Sequence, residues 1–248
     1  MNDQYIVGRN PVLEKLRTGK DVEKILVVKG EYKGSINKII GIAKDRNIII
    51  QQVDKNKLDQ ISGNNAHQGV AALVAPYEYS SIDEILNDAK QKGESPFVLI
   101  LDGIEDPHNL GSIIRTAEAG GAHGIIIPKR RAAQVTQTVY KSSAGAVEYL
   151  PVAKVTNISD TIDELKDRGL WVYGADMDGE EYYFDTELKG SIALVVGSEG
   201  KGISRLVKEK CDGLLRIPMT GKIASLNASN AASILIYEVV RQNHGSKR

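Results

Sequence analysis

The feature that most restricts how this chain can fold is a set of short apolar runs that do not alternate with polar residues. Phe97 to Leu101, Gly124 to Pro128, Trp171 to Ala175, Ile192 to Val196 and Leu214 to Ile217 are each continuous. A strand with one wet face changes character at every second residue, so an unbroken run predicts a strand covered on both faces. Helix signals fall between the runs. Ser81-Ile82-Asp83-Glu84 and Thr161-Ile162-Asp163-Glu164 both fit the capping box, in which a hydroxyl and a carboxylate three residues on satisfy the free N–H groups of a helix start. Strand and helix alternation predicts an α/β parallel sheet with helices on both faces and a ligand site beyond the carboxyl ends of its strands.

The first 75 residues read as a separate small α/β unit. Helices are expected near 9 to 18 and 35 to 46, with strands at Lys24 to Val28, Ile48 to Val53 and Gly69 to Ala75. The loop from Ser62 to Gln68 is polar, and Pro76-Tyr77-Glu78-Tyr79-Ser80 reads as a linker. The expected organisation is therefore 1–75, a linker and lead-in helix over 76–94, and a larger domain over 95–248. A length of 248 residues allows this, because single domains cluster around ~100 to 150 residues.

With 32 Lys+Arg against 32 Asp+Glu, no global field attracts a polyanion, so any nucleic-acid surface has to be a local patch. One cysteine, Cys211, excludes an intramolecular disulfide, and His67, His108, His123 and His244 lack zinc-site spacing, so no metal is expected. No run approaches the ~20 apolar residues of a membrane span, and the opening residues lack a signal-peptide pattern. The expectation is a cytoplasmic protein without a membrane partner.

Three polar loops follow strands and precede helices. In the first, Asp102 to Ala117, Asn109 is expected to begin the helix Leu110 to Ala119, with Arg115 a turn and a half further on. A guanidinium is a planar, permanently charged fork suited to phosphate, although a plain cap for Asn109 and a surface ion pair for Arg115 are the simpler readings. The second loop, Gly197-Ser198-Glu199-Gly200-Lys201-Gly202, has neither the order nor the position of a dinucleotide fingerprint, nor the spacing of a P-loop. Its Glu199 needs a partner, and Arg115 or substrate is the expected one. The third loop runs from Ile217 through Ser225, Leu226 and Asn227 into a helix that opens with small residues, Ala228 to Ser233. Capping explains Ser225 or Asn227 but not easily both. Lys129-Arg130-Arg131 is a basic triplet at the same sheet edge; it is either a solvated face or a phosphate contact, which Arg9, Lys15, Arg17 and Lys20 could extend.

In this order the three loops resemble the motifs of the SpoU (TrmH-type) RNA 2'-O-ribose methyltransferases, a branch of the SPOUT superfamily of knotted enzymes that use S-adenosylmethionine. The likeness runs from Phe97 to Arg241, and the first 75 residues resemble the ribosomal-protein-like RNA-binding domain that often precedes it. It implies a deep trefoil knot over about Gly197 to Asn227, where pattern rules alone give an unknotted sheet. It implies catalytic roles for Asn109, Arg115, Glu199, Ser225 and Asn227, and donor binding by Gly197, Ile217 and Leu226. RNA contacts would come from Arg9, Lys129, Arg130 and Arg131. A homodimer through the knotted domain is implied, and the apolar stripe Ile234, Leu235, Ile236, Val239 and Val240 suits an interface or a core equally well. Asn230 departs from the apolar residue that many relatives carry.

Methyl transfer to a ribose hydroxyl needs a developing alkoxide to be stabilised, and no histidine or cysteine in the motifs can act as base. The expectation is that Arg115 stabilises that charge and clamps a phosphate, with Glu199 fixing its orientation. Resemblance puts a guanosine of 23S ribosomal RNA before transfer RNA as substrate. The rivals are a non-catalytic RNA-binding protein and a nucleotide-dependent oxidoreductase, which the misordered glycines oppose.

Overall fold

The structure, a computed structural model, describes residues 5–19, 22–63, 66–222 and 225–243. Lys20, Asn64, Asn65 and His244 lie outside the described residues. The chain forms two compact units.

The first unit comprises residues up to Glu78 together with Gln134–Tyr149. Its elements in chain order are β1 (Tyr5–Val7), α1 (Arg9–Arg17), β2 (Val22–Val28), α2 (Ser35–Asp45), β3 (Ile49–Val53), α3 (Lys55–Ser62) and β4 (Val70–Val74). The sheet order is β1-β4-β2-β3, with β4 antiparallel to both neighbours and β2 parallel to β3. Val7, Leu26, Val53, Leu58 and Ala71 form an apolar cluster on it. Pattern reading misses β1, which is three residues long, and α3, where Leu58 and Ser62 are the buried positions of an otherwise polar segment. The later segment adds a Glu148 carboxylate that pairs with Lys15 of α1 at 3.0 Å, both side chains being almost fully covered. Lys15 is thus part of the core and not of a basic track, and Arg17 is held by Glu14 at 2.7 Å.

The second unit comprises Tyr79–Ala133 and the chain from Leu150 onward. It contains α4 (Ile82–Gln91), β5 (Phe97–Asp102), α5 (Pro107–Ala119), β6 (Gly124–Pro128), β7 (Val152–Val155), α7 (Ile158–Asp167) and β8 (Trp171–Ala175), with α6 (Gln137–Ser142) belonging to the first unit. It continues with β9 (Glu181–Tyr182), β10 (Ile192–Gly197), α8 (Arg205–Lys210), β11 (Gly213–Arg216) and α9 (Ala228–Asn243). All neighbours in the order β7-β6-β5-β10-β8-β11-β9 are parallel. Every residue of β10 is buried, as are the first five of β5, which is why these runs carry no alternation. The parallel sheet expected from the apolar runs is therefore present. Helix α9 closes against α5 so tightly that a Cβ on Gly120 would lie 2.6 Å from Ile236. Leu235, Ile236 and Val239 are buried, so this part of the apolar stripe is core.

Ser81 and Glu84 make the capping box reciprocally, as expected. The second proposed box is a correction: α7 begins at Ile158 and is capped by Asn157, whose side chain accepts from Ser159 N at 3.0 Å. Thr161 is inside the helix and donates to the Asn157 carbonyl at 2.8 Å. A hydroxyl one turn into a helix reaches the carbonyl four residues back, and only tertiary packing determines which turn comes first.

Candidate active site

Two central strands end side by side. Asp102 of β5 is in register with Gly197 of β10, so the loops that follow them leave from one edge of the sheet. The topology reverses between these strands, with β6 and β7 on one side and β8, β11 and β9 on the other. Such a crevice is where open parallel sheets bind ligands.

The loop after β5 enters α5 through Asp106, whose Oδ1 accepts from His108 N at 2.8 Å, and Pro107 occupies the first turn. This corrects the expected start: the helix begins at Pro107, and Asn109 lies in its first turn with its amide free for other work. The loop after β10 folds back on itself. Gly202 N donates to Ser198 O at 2.8 Å, and a Cβ on Gly197 would stand 2.0 Å from the Gly202 carbonyl carbon. Gly197 is therefore required by the backbone opposite it. Beyond the loop, Ser204 N donates to Asp102 Oδ2 at 2.7 Å, tying the glycine-rich turn to the end of β5.

These constraints carry Glu199 to Asn109 and Asn227. Asn109 Nδ2 donates to Glu199 Oε1 at 2.8 Å. Asn227 Nδ2 donates to the same Oε1 and to Asn109 Oδ1, the latter at 3.0 Å. Ala228 N adds a 3.4 Å contact to Oε1. The other end of the Asn227 amide accepts from Ser229 N at 2.9 Å and from Ser229 Oγ at 2.6 Å, so Asn227 also starts α9. Both amides are oriented with the nitrogen toward acceptors and the oxygen toward donors.

Arg115 does not join this cluster. It is exposed on α5 and makes no ion pair among the described residues. Six residues separate it from Asn109, about 9 Å along the helix and roughly 120° away around it. The expected Glu199–Arg115 pairing is therefore overturned within the chain: two asparagine amides take the carboxylate instead. Lys129, Arg130 and Arg131 are exposed, and Arg131 has φ 56°, a left-handed backbone uncommon for a side chain of its size. In the first unit, Arg9 Nε donates to the Gln68 carbonyl at 3.1 Å.

A cleft of about 310 Å³ opens at the ends of β10, β8 and β11. Gly197, Ile217, Ser225 and Leu226 line it, together with Asp176, Lys208 and the Glu199 loop. It is at the small end of the roughly 300 to 1,000 Å³ typical of small-molecule sites, with apolar walls and a few polar groups. A second, polar cavity of about 280 Å³ is lined by Gly103 to Asp106 and Asn109. Ser198, Glu199 and Lys201 line both. Sequence reading missed Asp102, Asp176 and Lys208; for the two aspartates the signal available was an acidic residue at or just after the end of an apolar strand. Among the described residues no group of His, Cys, Asp and Glu is arranged to hold a metal, and no helix is long and apolar enough to cross a membrane.

A parallel sheet with a cleft and a polar cluster at its carboxyl edge defines an α/β protein with a ligand site at the place where open parallel sheets bind their ligands. Residues 96–237 match the SpoU rRNA methylase family, and residues 5–80 match the RNA 2'-O ribose methyltransferase substrate-binding domain. A TrmH family tRNA/rRNA methyltransferase of Staphylococcus aureus is 54% identical over 244 residues, covering 98% of each chain. A Bacillus subtilis protein of the same description is 51% identical over 97% of this chain and 96% of its own. The crystal structure of the SpoU methyltransferase AviRb from Streptomyces viridochromogenes superposes with TM-score 0.81 at 26% identity, over 98% of this chain and 90% of that one. AviRb in complex with the cofactor AdoMet gives the same score at 27% identity, over 97% and 90%. The chain belongs to the SpoU rRNA methylase family and is an RNA methyltransferase with an N-terminal substrate-binding domain.

Proposed function

We propose that this protein transfers a methyl group from S-adenosylmethionine to the 2'-hydroxyl of a ribose in RNA, its target being a guanosine of 23S ribosomal RNA. The observation that carries the reading is Glu199, tied to Asn109 and Asn227 on the wall shared by two cavities. The larger cleft, with Gly197, Ile217 and Leu226 in its lining, suits an adenosyl group: apolar walls for a purine and polar groups for its substituents. When bound, the donor supplies an electrophilic methyl group. The smaller cavity, with Asn109 in its wall, takes the acceptor ribose.

The chain's own groups would act by position and charge. Asn109, Asn227 and Ser225 hold the acceptor hydroxyl near the shared wall, and Glu199 keeps the two amides in one orientation. Arg115, with no partner inside the chain among the described residues, stabilises the developing alkoxide and clamps the neighbouring phosphate. Lys129, Arg130 and Arg131, also exposed, extend the phosphate contacts of the second unit, and Arg9 contributes from the first. The reading further includes a trefoil knot over about Gly197 to Asn227 and a homodimer. The exposed Tyr237, between half-buried Ile234 and Val240 on α9, supports such an interface. The same reading includes a cytoplasmic location. The ribosomal target is supported by the description of the matching family; the curated relatives are described as acting on transfer or ribosomal RNA.

Transfer of labelled methyl to ribosomal and transfer RNA from a strain lacking the gene, with modified nucleosides mapped by mass spectrometry, tests this. Label as 2'-O-methylguanosine in the large ribosomal RNA is expected; label in transfer RNA alone reassigns the target. In the same assay Arg115→Lys is expected to lose most turnover with donor binding intact, and a near-normal rate removes Arg115 from the reaction.

A further inference from the structure

One buried charge in the donor cleft is not used by the reaction centre. Asp176 follows directly on β8, the neighbour of β10 on the side away from β5, so it stands across β10 from the loop that carries Asn109. Its side chain is 5% exposed and pairs with Lys208 of α8. Its Oδ1 accepts from Asp178 N at 3.0 Å, and its Oδ2 lies 3.9 Å from where a Cβ on Gly202 would be. Both Asp176 and Lys208 line the cleft.

A carboxylate offers about four acceptor positions, and the Asp178 amide and the Lys208 ammonium take two of them. Covering a carboxylate in this way is costly, and pairing it with one lysine is weak evidence of a purely structural role. The pairing also sets the chemistry of the ligand. With Lys208 beside it the site is close to neutral, so it gains little from a cation but retains lone pairs for uncharged donors. Two adjacent hydroxyls on a sugar are such donors, and an acidic side chain past a strand end receives ribose hydroxyls in other open parallel sheets. Apolar Val196, Leu215 and Ile217 on the same walls suit the adjoining purine.

We propose that the Asp176 carboxylate, held by Lys208 beside the glycine-rich loop, accepts the ribose hydroxyls of the methyl donor. The assignment rests on the donor-binding reading above, and the experiment separates the two. Binding of S-adenosylhomocysteine, its 2'-deoxy and 3'-deoxy counterparts and 5'-methylthioadenosine is measured by calorimetry on the full chain, wild type and Asp176→Asn. In the wild type, removing a contacted hydroxyl is expected to weaken binding about tenfold, the size of one hydrogen bond to a charged acceptor. In Asp176→Asn the parent ligand should weaken by a similar factor and the deoxy penalty should shrink toward none. The loss should be the same for 5'-methylthioadenosine, which lacks the amino-acid end.

A full deoxy penalty in the variant, or unchanged affinity for the parent, overturns the proposal. A loss that disappears with 5'-methylthioadenosine also overturns it, by assigning Asp176 to the donor's ammonium group. Should Asp176→Asn fail to fold, Lys208→Gln keeps the carboxylate and is expected to retain the deoxy penalty; its absence there overturns the proposal. If wild-type protein binds no S-adenosylhomocysteine at all, the donor-binding reading fails first and this assignment with it.

Discussion

Gly197→Ala tests whether the loop that carries Glu199 is positioned by backbone packing. The added methyl carbon would lie 2.0 Å from the Gly202 carbonyl carbon, 2.2 Å from its oxygen and 2.3 Å from Ile203 N. Ordinary contact begins near 3.4 Å, so the facing backbone has to move by about 1.4 Å, the difference between 3.4 and 2.0. Gly197 itself cannot yield, because it is buried and in register with Asp102 in the centre of the sheet. The displacement falls on residues 198 to 203, which carry Glu199. Overpacking of this kind costs about 1 to 3 kcal/mol, or roughly 2 to 12 °C of melting temperature for a chain of this size. A misplacement of about 1 Å in a catalytic constellation costs on the order of a hundredfold in rate. The assay is single-turnover methyl transfer at saturating donor, alongside thermal unfolding. Gly190→Ala is the control: this glycine, just before β10, has φ 78° and open space for a Cβ, so it should lose only about 1 kcal/mol and leave the rate unchanged. Wild-type rate and melting temperature in Gly197→Ala would refute the packing argument, and so would an equal loss of rate in both variants.

Lys15→Met is expected to destabilise the protein by about 3 to 5 kcal/mol in urea unfolding, because it removes one half of a covered ion pair, the 3.0 Å contact to Glu148. Lys15→Met/Glu148→Leu should recover most of that loss, and a double variant as unstable as the single one contradicts the account. Burial pushes the Cys211 thiol up to about 12 from 9.0, so at pH 8 about one thiol in ten thousand is ionised against roughly one in ten at the ordinary value. Native protein should therefore react with iodoacetamide far more slowly than unfolded protein, and equal rates exclude the burial argument. Because the folded value is the higher one, the thiol's contribution to stability is complete below pH 9 and is lost as pH rises toward 12, which alkaline melting curves of wild type and Cys211→Ala can compare.

The sequence by itself determined the sheet. Runs such as Val98 to Leu101 and Ala193 to Val196 have no polar face to offer water, so a doubly covered parallel strand is the arrangement open to them, and the ends of such strands mark where the polar loops gather. Very short edge strands escaped it: β7 reads Val-Ala-Lys-Val with a polar residue inside, and β9 is two residues long. Helix starts were legible where a reciprocal pair repeats locally, as at Ser81 and Glu84, and not where several hydroxyl or amide residues compete, as with Asn157 and Thr161 or Asp106 and Asn109. Only the tertiary structure decided the partner of Glu199. The carboxylate lies 90 residues from Asn109 and 28 from Asn227, and local pattern cannot show that two amides, rather than Arg115, reach it. The same holds for Lys15, which reads as a surface charge in its helix and is covered because Glu148, 133 residues away, folds onto it. Backbone preference and burial pattern act over a few residues and are written in order along the chain, whereas the pairing of charged and polar groups depends on which loops the sheet brings together.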